Sequence, residues 1–100
     1  MTAERDIGEY LDLLSYVILC APDDFPHDDF RAADEQMSLD RAFARLRDGL
    51  AGLVSYVPEM VMTDLKTTLD AAFDEYRGSN DVKGAHLLQD LEEKLKKTIA

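Results

Sequence analysis

The sequence predicts an all-α chain: one domain over residues 1–100, an antiparallel four-helix bundle with a long acidic, partly helical connection between its first and second helices. Three observations lead there. Apolar residues recur at threes and fours almost throughout, with no sustained alternation of strand type. Pro58 and Gly78 punctuate the second half, so two of the three connections are short. The remaining connection, residues 22–37, is long and rich in aspartate. A chain of 100 residues that is 46% hydrophobic and 32% charged can hold a single core and bury roughly two-thirds of its unfolded surface.

The first helix is predicted from Ala3 to about Ala21, with Thr2 as N-cap and Ile7, Tyr10, Leu11, Leu14, Val17 and Ile18 on its apolar face. The second starts after Ser38, a good N-cap, and runs to about Val57, with Leu39, Phe43, Leu46, Leu50, Leu53, Val54 and Val57 facing inward. Pro58 ends it and suits the first turn of the third helix, which presents Val61, Met62, Leu65, Leu69, Ala72, Phe73 and Tyr76 before Gly78 stops it. Ser79 or Asn80 caps the fourth, whose face is Val82, Ala85, Leu88, Leu91, Leu95 and Ile99. Lys94, Lys96 and Lys97 sit near its C-terminus, where the helix dipole favours cations. Helices of about 18 to 20 residues are roughly 27 to 30 Å long, a length suited to a small bundle.

Two features of this pattern need a further cause. The stretch "CAPDDFPHDDF", residues 20–30, packs four aspartates into one connection. Asp28 and Asp29 can complement a helix start at Pro26, but Asp23 and Asp24 follow a helix C-terminus, where negative charge is mildly unfavourable. In an up-down-up-down bundle the first and third connections share an end, which gathers Asp70, Asp74, Glu75 and Asp81 near the same loop. Asp74 and Glu75 also occupy the last turn of a helix, with Arg77 as their local offset. The second feature is "LLSYVILCA", apolar nearly all the way round. Tyr16 and Leu19 fall opposite the core face, to be covered either by Phe25 and Phe30 folding back or by a partner.

Charge narrows the function classes. Residues 1–40 hold 11 Asp/Glu against 2 Lys/Arg, net −9, while residues 41–100 hold 10 against 9, net −1, together the −10 of the whole chain. Such local acidity disfavours direct binding to nucleic acid or an anionic membrane and steers a basic protein toward it. Two histidines, His27 and His86, stand without a nucleophile or paired carboxylates at a spacing that defines a catalytic site, so no enzyme is expected. The aspartate-rich loop has no glycine or glutamate at the positions a hand-type calcium loop requires, and neither metal nor cofactor is implied. A lone cysteine, Cys20, and an acidic start, "MTAERDIGEY", favour a cytoplasmic location over secretion, and "YVILCA" is too short to span a bilayer. Gly49 and Gly52 are read as permitting close helix packing, and Gly84 as loosening the first turns of its helix.

The segments "CAPDDFPHDDF" and "MSLDRAFARLRDGL", in an acidic all-helical chain of this length, resemble the small helical immunity proteins of bacterial contact-dependent growth inhibition systems. More loosely, they are similar to colicin D-type immunity proteins. The resemblance covers residues 20–30 and 37–50 and the general architecture. It implies a cytoplasmic protein that binds and blocks the toxin domain of a neighbouring cell's effector, often a tRNA-cleaving nuclease. The resemblance assigns no contact residue to a particular position; only the acidic character carries over. A nuclease presents Lys and Arg to phosphates, and carboxylates placed against those groups compete for the same surface. The candidate partner-binding residues are therefore Asp23, Asp24, Asp28 and Asp29 for charge, Phe25 and Phe30 as anchors or loop staples, and Asp70, Asp74 and Glu75 as flanking contacts. The expected complex is one-to-one with a monomer. Two other classes fit less of this pattern: an acidic regulatory adaptor or anti-activator that grips a basic DNA-binding protein, and a helical enzyme or ligand carrier.

Overall fold

The computed structural model describes residues 3–21, 25 and 36–99. They form four helices, α1 (Ala3–Cys20), α2 (Leu39–Ala51), α3 (Glu59–Arg77) and α4 (Asp81–Ile99), with no strand among the described residues. α3 and α4 share the most extensive contact, α1 packs on α2 and on α4, and α2 packs on α3. Each helix thus touches two neighbours, the contact pattern of a four-helix bundle. No described helix is long and apolar enough to cross a membrane.

The core follows the helical periodicity. α1 supplies Ile7, Tyr10, Leu14 and Val17; α2 supplies Ala42, Phe43, Leu46 and Leu50; α3 supplies Met62, Leu65, Leu69, Ala72 and Tyr76; α4 supplies Leu88, Leu91 and Leu95. Phe43 is fully buried, with its ring 4.9 Å from that of Phe73 and edge-on to Tyr76 at 5.9 Å. Fully burying a side chain of this size contributes roughly 1.5–3 kcal/mol. Polar ties cross the seams. Lys94 pairs with Asp64 at 3.2 Å and donates to the Thr68 hydroxyl at 3.1 Å. Arg47 pairs with Asp70 at 3.2 Å, and Ser15 donates to Glu92 at 3.3 Å.

α2 begins where expected. Ser38 is extended, and its hydroxyl accepts the Arg41 N–H at 3.3 Å, which satisfies one of the helix's open donors. Its end is a correction: regular helix stops at Ala51, not near Val57. From there the N–H of Leu53 bonds to the carbonyl of Leu50, Val54 to Ala51 and Tyr56 to Leu53, a three-residue spacing that overwinds the chain. In an uninterrupted helix Val54 would follow Leu50 on the inner face; the tighter winding leaves it 62% exposed while Leu53 and Val57 stay buried. Pro58 then serves as the N-cap residue of α3.

The α3–α4 turn also differs in detail from expectation. Gly78 caps α3 with φ −85°, and the left-handed residue is Ser79, at φ 66°. The Asn80 N–H reaches the Glu75 carbonyl at 2.8 Å and the Ser79 N–H reaches that of Tyr76 at 3.1 Å, the paired bonds of a Schellman motif with serine in the glycine position. On α4 the inward line is Gly84, Leu88, Leu91 and Leu95. Val82, expected in the core, stands about 200° around the helix from Gly84 and is 72% exposed.

Both buried glycine contacts have a tyrosine as partner. A Cβ at Gly84 would lie 2.8 Å from the Tyr76 ring, and one at Gly49 would lie 2.8 Å from the ring of Tyr10. Gly84 is thus a seat for an aromatic ring, which replaces the expectation that it merely loosens its helix. Gly49 permits the close approach of α1 that its sequence suggested, whereas Gly52 meets only backbone of its own turn.

Candidate partner-binding surface

Asp23, Asp24, Asp28, Asp29 and Phe30 lie outside the described residues. Phe25 is described: it is half-buried, with its ring 5.8 Å from that of Tyr16 and inclined by 49°. It packs on Tyr16 at the margin of the core, which meets the loop-staple expectation for this one pair of residues. Leu19, expected on the same side of α1 as Tyr16, is 81% exposed.

The three acids of α3 occupy different environments. Asp70 is exposed and engaged by Arg47 across the α2–α3 seam. Asp74 is exposed, with no side-chain partner among the described residues. Glu75 is half-buried, and one of its carboxylate oxygens is shielded from solvent without a hydrogen-bond partner. Arg77, expected to offset Asp74 and Glu75, instead lies over the face of Phe73, 5.4 Å from its centroid. Arg47 approaches the same ring at 4.9 Å. A guanidinium on an aromatic face is attracted by the ring quadrupole and keeps its stem against apolar surface. The acids at the end of α3 are left without that cation.

Three phenols titrate above their ordinary range. Burial pushes Tyr10 well up; burial, then the nearby charge of Asp81, raises Tyr76. Tyr56 is raised first by donating its hydroxyl to Asp6 at 2.9 Å, then by the negative charge of that carboxylate. The hydroxyls of Tyr10 and Tyr76 are both buried without a partner among the described residues. No group of three or more His, Cys, Asp or Glu side chains is arranged to hold a metal among them either.

No protein-family model, curated protein or solved structure matches the chain.

One feature was not singled out from the sequence. A groove of about 370 Å³ runs between α1 and α2, lined by Asp6, Glu9, Tyr10, Leu13, Gly49, Gly52 and Leu53. Its signal was partly visible, since Asp6 and Glu9 are three apart on one helix and Gly49 and Gly52 three apart on the next. What joins them is the seat of Tyr10 on Gly49, a contact between residues distant in sequence.

Proposed function

We propose that this chain is a non-catalytic immunity protein, which binds and neutralises a basic, tRNA-cleaving nuclease toxin domain in the cytoplasm as a monomer in a one-to-one complex. The observation that carries the proposal is the uncompensated acidity at the end of α3. Asp74 has no cationic partner among the described residues, and the nearest candidate, Arg77, is committed to Phe73. The net −9 of residues 1–40 adds to this field if the bundle is antiparallel and the first and third connections share an end. Contacts that favour this arrangement run in opposite senses along paired helices: Tyr76 meets Gly84 while Asp64 meets Lys94, and Phe43 meets Tyr76 while Arg47 meets Asp70.

Exposed carboxylates contribute about 0–1 kcal/mol each in ion pairs. Their larger effect is on encounter, since complementary potentials raise association rates toward a basic partner. An exposed apolar residue such as Leu19 would supply residence time.

Co-expression with the toxin domain encoded beside its gene tests the function directly. Rescue of growth is expected, together with a complex that survives gel filtration. The quadruple Asp23→Asn, Asp24→Asn, Asp28→Asn and Asp29→Asn variant, and the Asp74→Asn, Glu75→Gln pair, should weaken that complex most at low salt. Undiminished killing in the presence of well-folded protein would overturn the proposal. Recovery of a basic DNA-binding protein with killing unaffected would favour the adaptor instead.

A further inference from the structure

We infer that the groove between α1 and α2 is a docking surface for a lysine- or arginine-bearing, otherwise apolar segment of a protein partner. It shares with the proposed function only the premise of a basic protein, and it places a contact where the sequence pointed to none. Its floor and walls are apolar, from Leu13, Leu53 and the ring of Tyr10, and its charged residues are Asp6 and Glu9, with no lysine or arginine in the lining. The hollow between α2 and α3 makes the comparison: of similar size, it is lined by Arg47 and Lys66 as well as Asp70, and so offers no single sign of charge.

Two further observations point to an incoming cation. Asp6 accepts its hydrogen bond from Tyr56, a neutral donor, so its charge is not cancelled by that contact. Glu9 is engaged by Arg5 at 3.3 Å, but through an exposed pair that a better-placed cation can displace.

The shape fits the same ligand. A lysine or arginine lays its hydrocarbon stem on apolar surface and keeps its head at the rim, and the volume suits one or two such side chains. Val54 and Tyr56, both exposed, follow Leu53 in the overwound turn, and the Tyr56 hydroxyl reaches Asp6 of the lining. Apolar contact surrounded by charge is the usual anatomy of a protein interface.

The test is a titration of the isotopically labelled full chain with a synthetic amphipathic peptide of alternating lysine and leucine pairs, followed by amide shifts. Shifts should concentrate at Gly49, Gly52, Leu53 and Val54. Asp6→Asn with Glu9→Gln should weaken binding about tenfold, and Val54→Ser severalfold, while Asp90→Asn with Glu93→Gln, exposed acids of α4, changes it less than twofold. Shifts centred on the end of α3, or equal weakening by both acid pairs, would overturn the inference. So would a dimer of the free chain in sedimentation that Val54→Ser dissociates, since the groove would then serve a second copy. Failure of toxin rescue leaves this result standing, and a silent groove leaves rescue untouched.

Discussion

The ring of Tyr76 occupies the space that a Cβ at position 84 would need, at 2.8 Å, so the two helices of the α3–α4 pair meet through a side chain on one and bare backbone on the other. Glycine inside a helix costs about 1 kcal/mol relative to alanine. Here that cost is offset by the packing of a buried aromatic residue that also meets Phe43 edge-on.

Substitution by alanine should therefore have opposite effects at different glycines. Gly84→Ala and Gly49→Ala are expected to destabilise by about 1–3 kcal/mol through overpacking, despite the better helix former. Gly8→Ala, with nothing within 4 Å of the added Cβ, should stabilise by about 0.5–1 kcal/mol. Urea unfolding of the three variants checks this; a gain in all three would mean that the tyrosine rings swing aside freely.

Ser79→Gly should stabilise the α3–α4 turn by about 1 kcal/mol, because serine at φ 66° bears a steric penalty that glycine does not. In a domain of this size that corresponds to a rise in Tm of about 4–8 °C. An unchanged or lower Tm would show that the serine side chain contributes something its backbone geometry does not reveal.

The raised phenols predict an alkaline limit to stability. A buried tyrosine whose folded value lies above its unfolded one, near ~10, contributes fully below that pH and loses its contribution as pH climbs through the folded value. Tyr10 and Tyr76 are both shifted in this direction, chiefly by burial. Wild-type stability should thus fall above about pH 10, and the Tyr10→Phe, Tyr76→Phe double variant should show a flatter limb. Because both hydroxyls lack partners among the described residues, neither substitution should cost stability at pH 7. A loss above about 1 kcal/mol, the usual worth of a hydrogen bond, would reveal an interaction at one of the oxygens. Urea midpoints measured from pH 7 to 11 decide both points.

At the α2–α3 seam, Asp70→Asn should cost under about 1 kcal/mol, since its pair with Arg47 is exposed. Arg47→Ala should cost more, because it also removes the guanidinium from the Phe73 ring. A thermal unfolding series that ranks the two the other way would assign the weight to the ion pair.

Helix number, the Ser38 cap and nearly all of the core were legible because each rests on local periodicity or a local hydrogen bond. The end of α2 was not, since Val54 keeps perfect helical spacing from Leu50 and only the three-residue bonds after Ala51 turn it outward. The destination of Arg77 was equally hidden: acids lie beside it in sequence, and the aromatic face that takes it is one turn back. Of the candidate site, the packing of Phe25 on Tyr16 met the loop-staple expectation. The groove met none, because it depends on which glycine meets which ring.

The seats at Gly49 and Gly84 tie together positions far apart in the chain. A bulkier residue at either is tolerable only if the opposing ring shrinks, so chains descended from a common ancestor of this fold should alter positions 10 and 49, and 76 and 84, in concert. Such paired drift leaves little trace in position-by-position similarity. It would remain as a two-site signature by which diverged kin of this bundle could be recognised after their surfaces had changed beyond comparison.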